Sequence, residues 1–342
     1  MAGGGKRTPA NFPTPQKAHP YGGTVYQRPL ERLNEGACSL SPSVSSNTSP
    51  PQLVTPVQLP KSLDSGSSPR SVVRSDPAAD PPFDICLSLN KCAFKLKRSL
   101  IEINREKRRV SKDVPPLQYL RPGMVLLKGF LKPNDQVKIV KLCQQLGVGA
   151  GGFYRPGYRD GAKLGLRMMC LGMNWDPDSR SYGRIRPFDK AQPPSIPEEF
   201  MKFVQDAIKV SHELLEQGMG AANAVGELPP MSPDICLVNF YGTSGRLGLH
   251  QDKDETKDSL DKGLPVVSFS IGETAEFLYG DARDVDKASK IDLESGDVLI
   301  FGGKSRLIFH GVSNVKPKTA PDWLTDGTSL RPGRLNLTFR QF

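Results

Sequence analysis

Two histidines and one aspartate have the types and the spacing of a metal-ligand set. His250 and Asp252 stand two residues apart, and His310 follows on a later predicted strand. Side chains at i and i+2 of an extended segment point to the same face, so a strand here brings the imidazole and the carboxylate together. Two histidines and one carboxylate on one side of an octahedral ion leave open positions, which is how Fe(II) is held in non-haem oxygenases. Because the chain has 4 histidines in all, few other sets are available.

This motif is also compatible with a site that holds no metal or a different metal. A polar turn beside a core histidine needs no metal. A hydrolytic zinc site uses similar ligands, but it leaves the arginines near the C-terminus without a role. His212 lies on a predicted helix, and we expect it to be structural or to face solvent.

The C-terminal segment 334–340 alternates strictly, as a half-buried strand does. Its polar positions are Arg334, Asn336, Thr338 and Arg340, and its apolar positions are Leu335, Leu337 and Phe339. A surface strand with a solvated face accounts for the alternation, but it does not account for two arginines that bracket an asparagine. Guanidinium groups offer paired donors to carboxylates, so two of them on one face suit a dicarboxylate. Fe(II) oxygenases commonly use the dicarboxylate 2-oxoglutarate as co-substrate, so this segment and the metal-ligand set support each other.

Together these motifs resemble the AlkB family of nucleic-acid dealkylating dioxygenases. The matching segments are Asn239-Phe240-Tyr241, His250-Gln251-Asp252-Lys253-Asp254-Glu255, His310 and the R-x-N-x-T-x-R pattern that ends at Arg340. The resemblance covers about residues 117–342 and includes spacing as well as residue type. It implies a jelly-roll core that binds Fe(II) and uses 2-oxoglutarate and O2. It also implies that an N-methyl group on a base is hydroxylated and lost as formaldehyde.

The resemblance also implies roles for single residues of the cofactor site. His250, Asp252 and His310 are the expected iron ligands. The expected 2-oxoglutarate residues fall into two groups. Arg334, Asn336 and Tyr241 would hold the distal carboxylate, and Arg340 and Asn239 would lie at the end that chelates iron.

Substrate-binding residues follow from the same resemblance. Trp175 and Tyr182 match in type and spacing the aromatic pair that flanks the base, although two core aromatics give the same pattern. Asp254 and Glu255 are expected to accept a hydrogen bond from the base or to attract a cationic one, unless they are plain surface charges. The expected phosphate contacts are Arg246, Lys253 and Arg283. Residues 161–167, with Lys163, are expected to belong to a lid over the base.

The resemblance thus predicts a demethylase of N-alkylated bases in nucleic acid. N1-methyladenine and N3-methylcytosine are candidate substrates, and N6-methyladenine in DNA is a further one. Three alternatives stay open. They are an RNA or tRNA demethylase that erases modifications, a protein or small-molecule hydroxylase on the same core, and a nucleic-acid-binding module without catalysis.

Composition sets outer bounds on the class of protein. The chain has 342 residues and no apolar run long enough for a bilayer, so no membrane association is expected. Its 6 cysteines are scattered and form no C-x-x-C pair, as in a reducing compartment. Of the net charge of +10, most lies in residues 1–115, which carry 17 Lys and Arg against 9 Asp and Glu. Such an excess favours polyanions, and it also occurs in targeting segments and solvated tails.

The chain divides into three predicted regions. Residues 1–83 form a Ser- and Pro-rich extension that is expected to be disordered. Residues 84–116 are a basic linker with a short helix as one option, and residues 117–342 form the dioxygenase domain. We expect a monomer in the nucleus, the cytoplasm or both. A chloroplast or mitochondrial location is the alternative, since the extension is rich in Ser and poor in acids.

The predicted elements favour an α+β fold that is mostly β, with helices flanking a jelly roll. Helices are predicted from Pro133 to Gly147 and after Pro197. A strand is predicted at 125–127, and the later strands are predicted at 235–241, 248–252, 265–271, 275–279, 298–301, 306–312 and 334–340.

Overall fold

The computed structural model describes residues 83–88, 117–157, 163–219 and 224–342. The strands of this part are, in chain order, β1 (Leu117–Arg121), β2 (Met124–Leu127), β3 (Leu166–Leu171), β4 (Asn174–Asp176), β5 (Ser181–Gly183), β6 (Ile235–Tyr241), β7 (Leu247–His250), β8 (Val266–Gly272), β9 (Thr274–Gly280), β10 (Ser289–Leu293), β11 (Val298–Phe301), β12 (Phe309–Lys316) and β13 (Arg334–Arg340). The helices are α1 (Pro133–Gly147), α2 (Glu198–Met219), α3 (Ala224–Glu227), α4 (Lys257–Asp261) and α5 (Asp322–Thr328), with a 3-10 helix at Gly303–Ser305.

Two antiparallel sheets form the core. The larger has the strand order β1-β2-β11-β8-β13-β6-β3, and the smaller has the order β10-β9-β12-β7. A separate hairpin pairs β4 with β5. The predicted double-sheet jelly roll with flanking helices is confirmed. Among the described residues, no helix is both long and apolar enough to cross a bilayer.

Strand β13 lies between β8 and β6 in the larger sheet. Its alternating apolar and polar side chains face two different environments. Leu335, Leu337 and Phe339 join the hydrophobic cluster that includes residues of α1 and α2. The Phe339 ring lies 4.8 Å from Phe269 and 6.3 Å from Phe200 of α2, measured between centroids. The polar residues of β13 face the other way, toward the smaller sheet, and all of them are buried. The polar face is therefore not solvated, so β13 is not a surface strand.

Helix α1 lies where the sequence predicts it, because local signals mark both of its ends. Pro133 occupies its first turn, where a missing N–H does no harm. The backbone N–H of Lys132 donates to the Asp135 carboxylate at 3.3 Å. The helix ends at Gly147, where any side chain would meet the ring of Phe153.

Residues 83–88 form an N-terminal strap that packs on the domain. Ile85 is 0% exposed, and Cys86 makes a β-bridge with Leu330. The Arg331 Nε donates to the carbonyl of Asp84 at 2.7 Å. The prediction that the packed domain starts at residue 117 did not include this segment, because a strap of six residues is too short for a periodic pattern. The rest of the predicted extension and basic linker lies outside the described residues.

Candidate active site

Strand pairing brings the two predicted histidine ligands together. β7 and β12 run antiparallel with His250 opposite His310. Their ring centroids are 4.4 Å apart. One ligand atom from each histidine and one from Asp252 all lie within 4.8 Å of one another. In the described part of the chain, no other group of three such side chains has this geometry.

Both imidazoles are oriented by backbone carbonyls. The His250 Nδ1 lies 3.0 Å from the carbonyl oxygen of Gly248, and the His310 Nδ1 lies 3.3 Å from that of Ile308. Because a carbonyl oxygen can only accept, Nδ1 carries the proton and Nε2 keeps its lone pair for a cation. Burial lowers the pKa of His310 to about 4, so its imidazole is neutral at physiological pH. A neutral imidazole is the form that binds metal.

Asp252 completes the set, although it does not lie on a strand. β7 ends at His250, so the predicted strand 248–252 is too long and the i, i+2 argument does not apply. The Asp252 Oδ1 instead pairs with the Arg340 guanidinium at 2.7 Å. Its Oδ2 is buried and accepts no hydrogen bond from any described group, which leaves it for a cation. Burial favours the protonated acid, but Arg340 and the imidazoles outweigh it and hold the pKa of Asp252 well below its usual range.

A pocket joins this triad to the polar face of β13. At its far end Arg334 is only 1% exposed. One nitrogen of its guanidinium donates to the Ser270 hydroxyl at 2.9 Å, whereas its Nε and Nη1 have no partner among the described residues. Burial raises the pKa of the neighbouring Tyr241 to about 12, which keeps its phenol protonated and able to donate. A buried cation with free donors beside a phenol fits the carboxylate of 2-oxoglutarate.

The two predicted asparagines differ in what they can offer. Both line the pocket. The Asn336 amide nitrogen already donates to the Ser268 hydroxyl at 2.8 Å and to the Phe269 carbonyl at 2.9 Å. Both of its hydrogens are therefore used within the fold, and the role of Asn336 at the distal carboxylate stays a prediction. The Asn239 Oδ1 is buried and has no partner among described groups.

Arg340 and Glu255 belong to a buried ion-pair network that the sequence did not reveal. Arg340 bonds to Glu255 at 3.1 Å and to the Tyr182 hydroxyl at 2.7 Å, besides its pair with Asp252. Arg340 thus holds a metal ligand directly. The other Glu255 oxygen pairs with Arg306 at 2.9 Å. Glu255 is buried and both of its oxygens accept hydrogen bonds within the fold, and its contact with the base stays a prediction.

Arg306 is the residue that sequence reasoning missed. It is 2% exposed, and its guanidinium also donates to the backbone carbonyls of Asp252 and Leu264. It therefore fixes the loop that carries a metal ligand. The predicted strand 306–312 hid this role, since β12 starts only at Phe309. The sequence shows only that the basic residue Arg306 stands four positions before His310. A charged residue type does not indicate whether its side chain is buried.

The β4–β5 hairpin brings the predicted aromatic pair to the metal-binding loop. Trp175 and Tyr182 face each other across the hairpin. The Trp175 indole N–H donates to Asp254 at 2.9 Å, and the Tyr182 hydroxyl donates to Glu255 at 3.0 Å. The aromatics therefore contact the loop that follows the ligand Asp252, and their base-flanking role stays a prediction.

The remaining predicted contacts are at the surface. The four predicted basic contact residues are exposed and have no ion-pair partner in the described chain: Arg246, Lys253, Arg283 and Lys163. Their phosphate and lid roles stay predictions, and residues 161–162 lie outside the described part. His212 is structural, with Nε2 at 2.6 Å from the carbonyl oxygen of Leu228.

Comparison with known proteins supports the chemistry of this site. The 2OG-Fe(II) oxygenase superfamily model matches residues 123–340. DNA N(6)-methyladenine demethylase ALKBH1C of Arabidopsis thaliana is 51% identical over 324 residues, which cover 94% of this chain and 70% of that protein. Alpha-ketoglutarate-dependent dioxygenase AlkB of Escherichia coli is 36% identical over 174 residues, which cover 50% of this chain and 68% of that protein. The solved structure of OsALKBH1 is 77% identical with a TM-score of 0.64, and the match covers 66% of this chain and 100% of that one. Fe(II) and 2-oxoglutarate are thus the cofactors that the donor set fits, and the chain belongs to the AlkB family of the 2OG-Fe(II) oxygenase superfamily.

Proposed function

We propose that this protein demethylates N-alkylated bases in nucleic acid, with N6-methyladenine in DNA as the first candidate substrate. One observation carries the proposal. The hairpin that bears Trp175 and Tyr182 is hydrogen-bonded to Asp254 and Glu255, directly beside the metal ligand Asp252. An aromatic pair beside a metal ligand suits a flat base that has left its stack. The name of the Arabidopsis relative supports the choice of base.

The protein's own groups contribute placement and charge. His250, Asp252 and His310 would hold Fe(II), and Arg334 would bind the distal carboxylate of 2-oxoglutarate. With O2, these cofactors supply the oxidant that hydroxylates a methyl carbon, after which formaldehyde, succinate and CO2 are released. Asp254 accepts from Trp175 through one oxygen and would orient the base through the other.

The test is nucleoside mass spectrometry after incubation with Fe(II) and 2-oxoglutarate. The panel holds N6-methyladenine, N1-methyladenine and N3-methylcytosine in single- and double-stranded DNA, in RNA and in tRNA. We expect loss of methylated nucleoside matched by succinate and formaldehyde. His310→Ala should abolish turnover, whereas His212→Gln, a change at a histidine outside the site, should preserve it. Succinate release driven by peptides but by no oligonucleotide would support the alternative hydroxylase.

Two further expectations from the sequence accompany the proposal. We expect a monomer, which light scattering coupled to gel filtration tests. We expect the nucleus or cytoplasm, with an organelle as alternative, and imaging of a fluorescent fusion to the full chain distinguishes them.

A further inference from the structure

An aromatic side chain stands in solvent directly after the base-flanking hairpin. Phe188 is 65% exposed, the largest exposed fraction among the large apolar side chains of the described chain. It belongs to the turn 184–190, which begins two residues after Tyr182 of β5. Ile185 of the same turn is 48% exposed. Two exposed apolar side chains in one short turn make this turn a candidate contact surface.

The ring is held in place by a buried arginine. The Arg186 guanidinium lies 4.9 Å from the Phe188 ring and 4.6 Å from the Tyr154 ring. The same guanidinium donates to the carbonyl of Gly152 at 2.7 Å and to the Asp189 carboxylate at 2.9 Å. The Tyr154 and Phe188 centroids are 5.1 Å apart. Phe188 therefore has packed groups on one side while most of its surface stays open.

The charges around this ring favour a polyanion. Arg184 and Lys190 are exposed and have no ion-pair partner among the described residues. The one acid of the turn, Asp189, is paired with Arg186. Two free cations therefore flank an open aromatic ring, with no free carboxylate between them.

We propose that Phe188, Arg184 and Lys190 form a stacking platform for an unpaired nucleotide next to the target base. An open aromatic ring between cations is the combination that binds single strands, since bases stack on the ring and phosphates pair with the cations. The platform continues the chain of the hairpin that flanks the target base, so one strand would contact both. This inference rests on the proposed function and extends it to single-stranded nucleic acid with neighbours on the target base.

The test compares two ligands that differ only in those neighbours. Fluorescence titration and steady-state kinetics are measured with a methylated single-stranded oligonucleotide of about 15 nucleotides (the 15-mer) and with the methylated mononucleotide. Phe188→Ala should weaken binding of the 15-mer by about fivefold to a hundredfold, the range for loss of one stacked base. It should leave mononucleotide binding and kcat unchanged, and Phe188→Trp should restore 15-mer binding. Arg184→Ala combined with Lys190→Ala should reduce the salt dependence of 15-mer binding.

Trp323→Ala is the matched control. Trp323 is 39% exposed on α5, which packs against α1 on the helical side, so its loss should not change either affinity. Equal 15-mer affinity in Phe188→Ala and wild type overturns the platform, and so does an equal loss for both ligands. If wild type demethylates no oligonucleotide, the proposed function is wrong. The comparison of 15-mer and mononucleotide binding still tests the stacking platform in that case.

Discussion

Replacing Arg334 by methionine should stabilise the protein while it destroys co-substrate binding. The guanidinium is buried, lacks an acid at ion-pair distance in the described chain, and has two nitrogens without partners. Burial lowers the pKa of Arg334 from 12.5 to about 10, which corresponds to about 3 kcal/mol against the charged form. Methionine has similar volume and no charge. The hydrogen bond to Ser270 is lost, and this offsets about 1 kcal/mol of the gain. The expected net gain in the free energy of unfolding is therefore about 1–3 kcal/mol.

Thermal denaturation with and without 2-oxoglutarate measures both effects. Without it, Arg334→Met should melt about 2–10 °C above wild type, given the usual shift per kcal/mol for a domain of this size. Wild type should gain about 2.7 kcal/mol when 2-oxoglutarate is a hundredfold above its Kd, and the variant should gain nothing. Arg121→Met is the control, since Arg121 pairs with Asp281 at the surface and should change stability by at most about 0.5 kcal/mol. A destabilised variant that still gains stability from 2-oxoglutarate would refute the reasoning.

Three further outcomes are expected. Arg306→Met should lower the free energy of unfolding by about 3–5 kcal/mol, because it leaves a buried carboxylate underpaired; a loss under about 1 kcal/mol in urea denaturation contradicts this. A chain lacking residues 1–88 should be less stable in urea than one lacking residues 1–82, and Ile85→Ala alone should cost about 2–5 kcal/mol; equal midpoints would show that the strap contributes nothing. In metal-free protein the folded-state pKa of His310 is about 4 and the unfolded value is 6.5, so the unfolded chain binds more protons between them. Stability should therefore fall by about 3 kcal/mol from pH 6.5 to pH 4, and His310→Gln should flatten that slope.

The parts of the site that the sequence predicts are those fixed by strand periodicity. The alternation of β13 placed Arg334 and Arg340 on one face of a strand, and both line the pocket. Along β13 the period of two decides which way each side chain points, so no tertiary information is needed there. The sequence also put His250 and His310 on separate strands, but their position opposite each other comes from the pairing of β7 with β12.

The parts that the sequence did not predict depend on contacts between distant segments. Asp252 reaches the metal site from beyond the end of β7 because Arg340 and Arg306 hold its side chain and its backbone. Glu255 looks like a surface acid in the sequence and is buried by the same two arginines. The strap was missed for a related reason, since Ile85 is buried and its carbonyl accepts from the backbone N–H of Arg331, more than two hundred positions away. Short segments of this kind carry no periodic signal.

Three of the buried arginines serve the site in two different ways. Arg306 and Arg340 each pair with a buried carboxylate, so their charges are balanced within the fold and serve geometry. Arg334 has no such acid partner among the described residues. A buried charge without a partner destabilises the fold. An anion that binds beside Arg334 removes this destabilisation, so the same free energy favours binding of whichever anion enters. Affinity for an anionic carboxylate therefore arises from the imbalance at one arginine, whereas the placement of the metal ligands arises from the balance at the other two.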